Sequence, residues 1–208
     1  GCGFSKLFWL FVIGSHLGDL VETIFCRITA GVWMSRSSLV WGPFSIIWGM
    51  AIVAATILLH KDREKPDRYL FMVGTFLGGA YEYLCSVFAE LFFGKVFWDY
   101  SGIPFNLGGR INLLYCFFWG IAAVIWIKVL YPRISDWIEK IPKLTGYIVT
   151  WCLILFMAAN MVVSAAALVR YDQRAQGDTP DNAVEKLIDT RFGDARMEKI
   201  YPNAKSAR

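Results

Sequence analysis

A chain of 208 residues has room for one membrane domain and a short tail. An apolar fraction of 56%, an aromatic fraction of 16% and a mean hydropathy of +0.45 exclude an ordinary soluble domain and predict an all-α polytopic integral membrane protein. The formal charge of +4 is small and its basic residues cluster in loops, which suits positive-inside topology and anionic headgroups and excludes a nucleic-acid footprint.

A membrane crossing needs roughly 20 apolar residues, and five runs are read as spans, at about 7–28, 44–60, 69–93, 111–131 and 147–169. The first is interrupted by His16, Asp19 and Glu22, and the third carries Glu82 and Glu90. Between the fourth and fifth, residues 132–146 predict a short amphipathic interfacial turn with Trp137 and Ile138. The transmembrane domain is thus expected over 1–169, followed by a polar tail over 170–208. In the tail, Thr179 reads as an N-cap with Pro180 at the first helical position. Val184, Leu187, Ile188 and Phe192 then follow helical spacing, predicting one amphipathic helix docked on the rest of the protein.

Five crossings put the amino end and the loops 61–68 and 132–146 on one face. That face carries eight basic residues (Lys6, Lys61, Arg63, Lys65, Arg68, Arg133, Lys140, Lys143), against about seven on the other (Arg27, Arg36, Lys95, Arg110, Arg170, Arg174, Lys186). The balance leans toward a cytoplasmic amino end. The chain begins at Gly1, and no cleavable signal is expected, because the first apolar run leads into charged residues. Cys2, Cys26, Cys85, Cys116 and Cys152 show no metal or redox spacing and read as small hydrophobes, with a Cys26–Cys85 disulfide kept open as an alternative.

The third run repeats the first. Gly14-x-x-x-Gly18-x-x-x-Glu22 recurs as Gly74-x-x-x-Gly78-x-x-x-Glu82, an offset of 60 at each position (14 to 74, 18 to 78, 22 to 82). Each run is followed by a span holding a Trp-Gly pair, Trp48-Gly49 and Trp119-Gly120. Glycines four apart let another helix approach closely, and the next residue on that face is the Glu. Two pseudo-repeated helical hairpins are therefore expected, with Glu22 and Glu82 near their contact. The second hairpin is longer between its Glu and its Trp by 11 residues (119 − 82 = 37 against 48 − 22 = 26).

That extra length falls in residues 98–110, WDYSGIPFNLGGR, which carry Asp99, Arg110, Asn106 and the hydroxyls of Tyr100 and Ser101. Gly102, Pro104, Gly108 and Gly109 prevent either flanking helix from continuing. A polar irregular segment between spans is tolerated only against protein or a water-filled cavity, so it is expected to wall or cover a site. Ser15, Asp19 and Glu22 share one face of the first run, and Thr75, Gly79, Glu82, Ser86 and Glu90 form a stripe on the third. Ionised groups inside a bilayer cost several kcal/mol, about 2.5–3.5 on insertion scales, and so face protein or water with a partner. Arg110 is the expected partner of Glu82 or Asp99. The candidate substrate-binding residues are Glu22, Glu82, Asp99, Asn106, Arg110, Asp19, Tyr100 and Glu90.

The order Gly18…Glu22, Gly42-Pro43-Phe44, Glu82-Tyr83, Trp98-Asp99-Tyr100-Ser101 and Pro104-Phe105-Asn106…Gly109-Arg110-Ile111 resembles the CmpB-like family of bacterial membrane proteins. The resemblance spans roughly residues 8 to 131, and Arg196-Met197 and Tyr201-Pro202-Asn203 also look like tails seen on family members. It implies a multi-span protein of permease type in the bacterial cytoplasmic membrane, and it carries over no catalytic residues.

Three functions fit these residues. One is a permease or transporter component binding a small polar or cationic solute at the acids, the reading preferred here. Another is a membrane-embedded enzyme in which Glu82 acts as general base on a lipid-borne group, although no H-E-x-x-H, G-x-S-x-G or phosphate-cradling motif occurs. The third is a non-catalytic accessory or scaffold subunit, its acids satisfied by Arg110 and Asn106. No cofactor, metal or nucleic acid is expected, and the expected partners are membrane lipids and a second copy or another membrane subunit.

Overall fold

The computed structural model describes residues 3–206, and 72% of the chain is helical with almost no sheet. In chain order the helices are α1 (Phe4–Ala30), α2 (Ile46–Leu59), α3 (Asp67–Phe93), α4 (Leu113–Ile125), α5 (Tyr131–Glu139), α6 (Lys143–Ala175), α7 (Ala183–Arg191) and α8 (Asp194–Ile200). A π-helical stretch, Trp126–Leu130, joins α4 to α5, so Leu113–Glu139 runs as one 27-residue helix. What sequence reads as a separate interfacial turn is therefore the continuation of the fourth run. Among the described residues four helices are long and apolar enough to cross a membrane: Phe4–Ala30, Asp67–Phe93, Leu113–Glu139 and Lys143–Ala175. α2 has 14 residues, about 21 Å at 1.5 Å per residue, and falls short of a hydrocarbon core of about 30 Å.

The packing follows the glycine pattern. At Gly14 an added Cβ would strike Ile52, and at Gly18 it would strike the Trp48 side chain; at Gly74 and Gly78 it would strike Ala123 and Trp119. From the facing helices, Gly49 lies against Ser15 and the Phe11 carbonyl, and Gly120 against Thr75 and the Phe71 carbonyl. Gly14, Gly18 and Gly49 thus make close contacts between α1 and α2, and Gly74, Gly78 and Gly120 do so between α3 and α4.

Two apolar clusters close the ends of the bundle. Leu10, Leu59, Leu70, Ala123, Trp126, Ile127 and Ile134 pack where α1, α2 and α3 meet the continuous helix Leu113–Glu139. Lys6, buried under α5, donates to Ser135 Oγ at 2.8 Å and pairs with Glu139. At the opposite end Val40, Ala167, Leu168, Phe192, Met197 and Tyr201 form the second cluster. Four short strands serve as ties there. β1 (Lys95–Val96) pairs antiparallel with β4 (Lys205–Ser206), and β2 (Asn106–Leu107) with β3 (Ile111–Asn112).

One feature has no counterpart in the sequence reading. The connection between α1 and α2 folds back on itself over residues 37–44, and α6 holds it. The Val40 N–H donates to Ser164 Oγ at 2.8 Å, the Trp41 N–H to Asn160 Oδ1 at 3.2 Å, and Asn160 Nδ2 donates to the Trp41 carbonyl at 2.6 Å. Asn160 and Ser164 are buried within a membrane-spanning helix. They supply the bonds that irregular backbone requires in an apolar environment.

The tail departs from the expected single helix. α7 is capped by Asn182, whose side chain accepts from the Glu185 N–H at 2.8 Å, and not by Thr179. Gly193 then restarts the chain as α8. Buried Arg170 grips Asp189 through Nε at 2.9 Å and Nη2 at 2.6 Å, and Arg174 adds a third bond to that carboxylate at 2.7 Å. These hydrogen bonds, Arg170's foremost, hold the Asp189 carboxyl below its ordinary value of 3.8. A depressed carboxylate pKa contributes stability that is present above the unfolded value and lost as pH falls through the folded one. Docking of α7 should therefore hold at neutral pH and weaken below about pH 4. Hydrogen exchange at Ala183–Arg191 that is equally slow at pH 7 and pH 3, after correction for intrinsic rates, would contradict this.

Candidate functional site

Between the two end clusters lies a polar layer built from matching positions of α1 and α3. Glu22 accepts from Trp48 Nε1 at 2.7 Å, and its other oxygen from Arg36 Nε at 3.2 Å. Glu82, buried, accepts from Trp119 Nε1 at 3.0 Å and from the Tyr100 hydroxyl at 2.7 Å. The two indoles stack, with centroids 4.9 Å apart and planes 30° from parallel. Each Glu therefore holds the far edge of one half of an aromatic pair. The Tyr81 hydroxyl, donating to the Ile47 carbonyl at 2.6 Å, ties α3 to α2 beside that stack.

The segment 98–110 covers this layer from one end. Trp98 Nε1 donates to the Arg110 carbonyl at 2.9 Å and the Tyr100 N–H to the Gly109 carbonyl at 2.8 Å, closing the segment on itself. Tyr100 then reaches down to Glu82, its ring stacked on Tyr115 at 5.0 Å. Burial and the Glu82 charge both push the Tyr100 hydroxyl up, so it stays a donor at any physiological pH.

Arg110 does not meet Glu82 or Asp99. It bonds Ser86 Oγ at 3.0 Å and pairs with Glu90, and it stands over the Tyr83 ring at 5.8 Å. The reason is helical register: Glu90 lies two turns beyond Glu82, at the level where residues 98–110 re-enter α4. Asp99 is exposed and caps its own turn, its Oδ1 accepting from the Ser101 N–H at 2.9 Å, which lowers its pKa. Asn106 bridges the Ile103 carbonyl at 2.8 Å and the Gly109 N–H at 3.0 Å. Both shape the cover and do not enter the polar layer. Of the sequence candidates, Glu22, Glu82 and Tyr100 are joined through the indole pair, Glu90 and Arg110 form a neighbouring pair, and Asp19 lies on α1 one turn from Glu22.

Asp19 carries the one unresolved demand of this layer. Its Oδ1 and the hydroxyl of Ser15, one turn earlier, are both buried with no hydrogen-bond partner among the described residues. Ser15 is wholly inaccessible and Asp19 is 4% exposed. Nearby, His16 Nδ1 donates to the Pro43 carbonyl at 3.1 Å and Arg36 is engaged by Glu22. The i, i+4 pair therefore presents two oxygens without a protein donor.

Sequence reasoning missed Arg36, whose position in an irregular connection gives no sign of its partner. Trp48 and Trp119 stand out in sequence through their Trp-Gly pairs, and the signal for their bonds is that an indole N–H inside a membrane needs an acceptor, which the Glu supplies. The four described cysteines are free, so Cys26 and Cys85 are not joined; Cys2 lies outside the described residues.

Four long apolar helices around a layer of buried polar side chains define a helical integral membrane protein. The chain belongs to the family ABC_trans_CmpB, described as "Putative ABC-transporter type IV", whose pattern matches residues 9–165. The family's name is that of a transporter-type membrane protein. No curated protein and no solved structure matches the chain.

Proposed function

We propose that this protein is a permease of the bacterial cytoplasmic membrane that binds and moves a small polar or cationic solute at Ser15, Asp19 and Glu22, with Glu82 as the matching acid. One observation carries the reading: Ser15 Oγ and Asp19 Oδ1 are buried without partners beside an ionisable pair. An isolated buried carboxylate is costly, and a cation or a solute N–H bound between these oxygens relieves that cost. In this reading α2, extended by His60–Asp62 and the folded-back residues 37–44, completes a fifth crossing. The two hairpins are then repeats about an axis along the membrane normal, and the Trp48–Trp119 stack sits on that axis. The amino end faces the cytoplasm. On that side Lys61, Arg63, Arg68, Arg133, Lys140 and Lys143 are exposed, whereas Arg36, Lys95, Arg110, Arg170 and Arg174 at the other end are engaged by acids.

Thermal unfolding of the purified protein in detergent, with sodium, potassium or choline chloride at equal ionic strength, tests the proposal. One of the small cations should raise the midpoint by a few degrees over choline, since a ligand at 100 times its Kd adds about 2.7 kcal/mol. The shift should vanish in Asp19→Asn and shrink in Glu22→Gln, with far-UV circular dichroism unchanged. An identical shift in Asp19→Asn sinks the assignment. A scaffold role is favoured by a different observation, that both oxygens of Glu22 and both of Glu82 already accept protein donors. It predicts no salt-specific shift, and a midpoint in Asp19→Asn at or above the wild-type value.

A further inference from the structure

We propose that the groove between α3 and the α4–π junction is a seat for one anionic phospholipid, its phosphate on Arg68 and the upper part of one acyl chain against Phe71, Ile121, Val124 and Ile125. The groove is open, has a volume of about 270 Å³, and is lined by these five residues and Asp67. It lies on two helices long and apolar enough to span a bilayer, so the medium facing its apolar walls is hydrocarbon. An acyl chain is the occupant that fills it without stranding a polar group.

Charge selects the headgroup. The one acid in the lining, Asp67, is already countered by Lys128, whose Nζ lies 3.7 Å away and also donates to the Lys65 carbonyl at 2.8 Å. The π-helical stretch that contains Lys128 sets its place on that side, as such stretches often do at functional positions. Arg68 is left exposed and, among the described residues, makes no hydrogen bond or ion pair. Lys65, over the Tyr69 ring at 5.6 Å, is a second exposed cation three residues before Arg68. A guanidinium at the top of an apolar groove in a membrane matches a phosphodiester of net negative charge better than a zwitterionic one, whose own ammonium competes for the phosphate. Sixty positions before Arg68 the chain carries Phe8, so the matching surface of α1 offers no such cation (68 − 60 = 8).

Native mass spectrometry of the full chain, delipidated and returned to micelles containing equal dioleoylphosphatidylglycerol and dioleoylphosphatidylcholine, tests this. One phosphatidylglycerol should be retained per chain in preference to phosphatidylcholine. Arg68→Gln should cut that preference about fivefold, the factor corresponding to about 1 kcal/mol per basic residue at a membrane surface. Val124→Trp should abolish retention of both lipids by filling the groove; Ile125→Trp replaces it if that variant does not fold. Glycerol-3-phosphate, which has the charge and no chain, should not compete. An unchanged preference in Arg68→Gln, undiminished retention in the tryptophan variant, or effective competition by glycerol-3-phosphate each overturns the proposal. None of these readouts depends on Asp19, so the outcome is independent of the solute site.

Discussion

Gly120→Ala should destabilise the protein by about 1–3 kcal/mol, the usual range for an extra methyl forced into a tight contact. A Cβ there would lie 2.6 Å from the Phe71 carbonyl oxygen, a backbone atom that cannot turn aside, and would also strike Thr75. Separating α3 from α4 is the only relief, and that pulls Trp119 away from Glu82. Gly49→Ala should act alike through the Phe11 carbonyl at 2.7 Å and Ser15. Gly102→Ala is the control, since nothing lies within 4 Å of its added methyl. Unfolding in mixed micelles with increasing denaturing detergent, followed by tryptophan fluorescence, ranks the three. If Gly120→Ala and Gly102→Ala unfold together, the close hairpin contact does not exist.

Asn160→Leu should cost more, roughly 2–6 kcal/mol, because it conserves shape while stranding both the N–H and the carbonyl of Trp41 at about 1–3 kcal/mol each. The loss belongs to residues 37–44 first. Amide exchange at Val40 and Trp41 should accelerate at least as much as global unfolding does, and the thermal midpoint should fall. Ser164→Ala removes the Val40 bond and the 3.3 Å bond from Ser164 Oγ to Asn160 Oδ1 but leaves both Trp41 bonds in place, and should have a smaller effect. A leucine variant as stable as wild type, with slow exchange at Trp41, would falsify the clamp.

Four of the five spans expected were legible because those apolar runs are long and bounded by charge or by Gly and Pro; Gly31 and Gly94, both left-handed, end α1 and α3, whereas the run at 44–60 gives a helix of only 14 residues. The pairing of Glu22 with Trp48 and of Glu82 with Trp119 was half legible. The spacing marked the residues, yet the hydrogen bond between them depends on how two helices rotate against each other. Arg110 shows the limit more sharply. Charge alone could not choose between Glu82 and Glu90, and the choice fell to the level at which the chain returns to the membrane. Asn160 and Ser164 were invisible for a different reason. Their partners are backbone groups of residues 40 and 41, and a backbone amide leaves no mark in sequence. The tail was misread at its start because Thr179-Pro180 and Asn182 are both plausible caps. Only the first-turn bond from Glu185 to Asn182 decides between them.

The ties made by residues 200–206 have a consequence for biogenesis. The Tyr201 hydroxyl donates to the Ser38 carbonyl at 2.7 Å, and Lys205–Ser206 pairs with Lys95–Val96, so one segment fastens the ends of both hairpins. That segment leaves the ribosome after every spanning helix has been made. Until then the connection at 37–40 and the strand at 95–96 lack these partners. Insertion of the helices and closure of that end are therefore separate events, with the second post-dating the first. A chain arrested before Tyr201 would carry every spanning helix but neither tie.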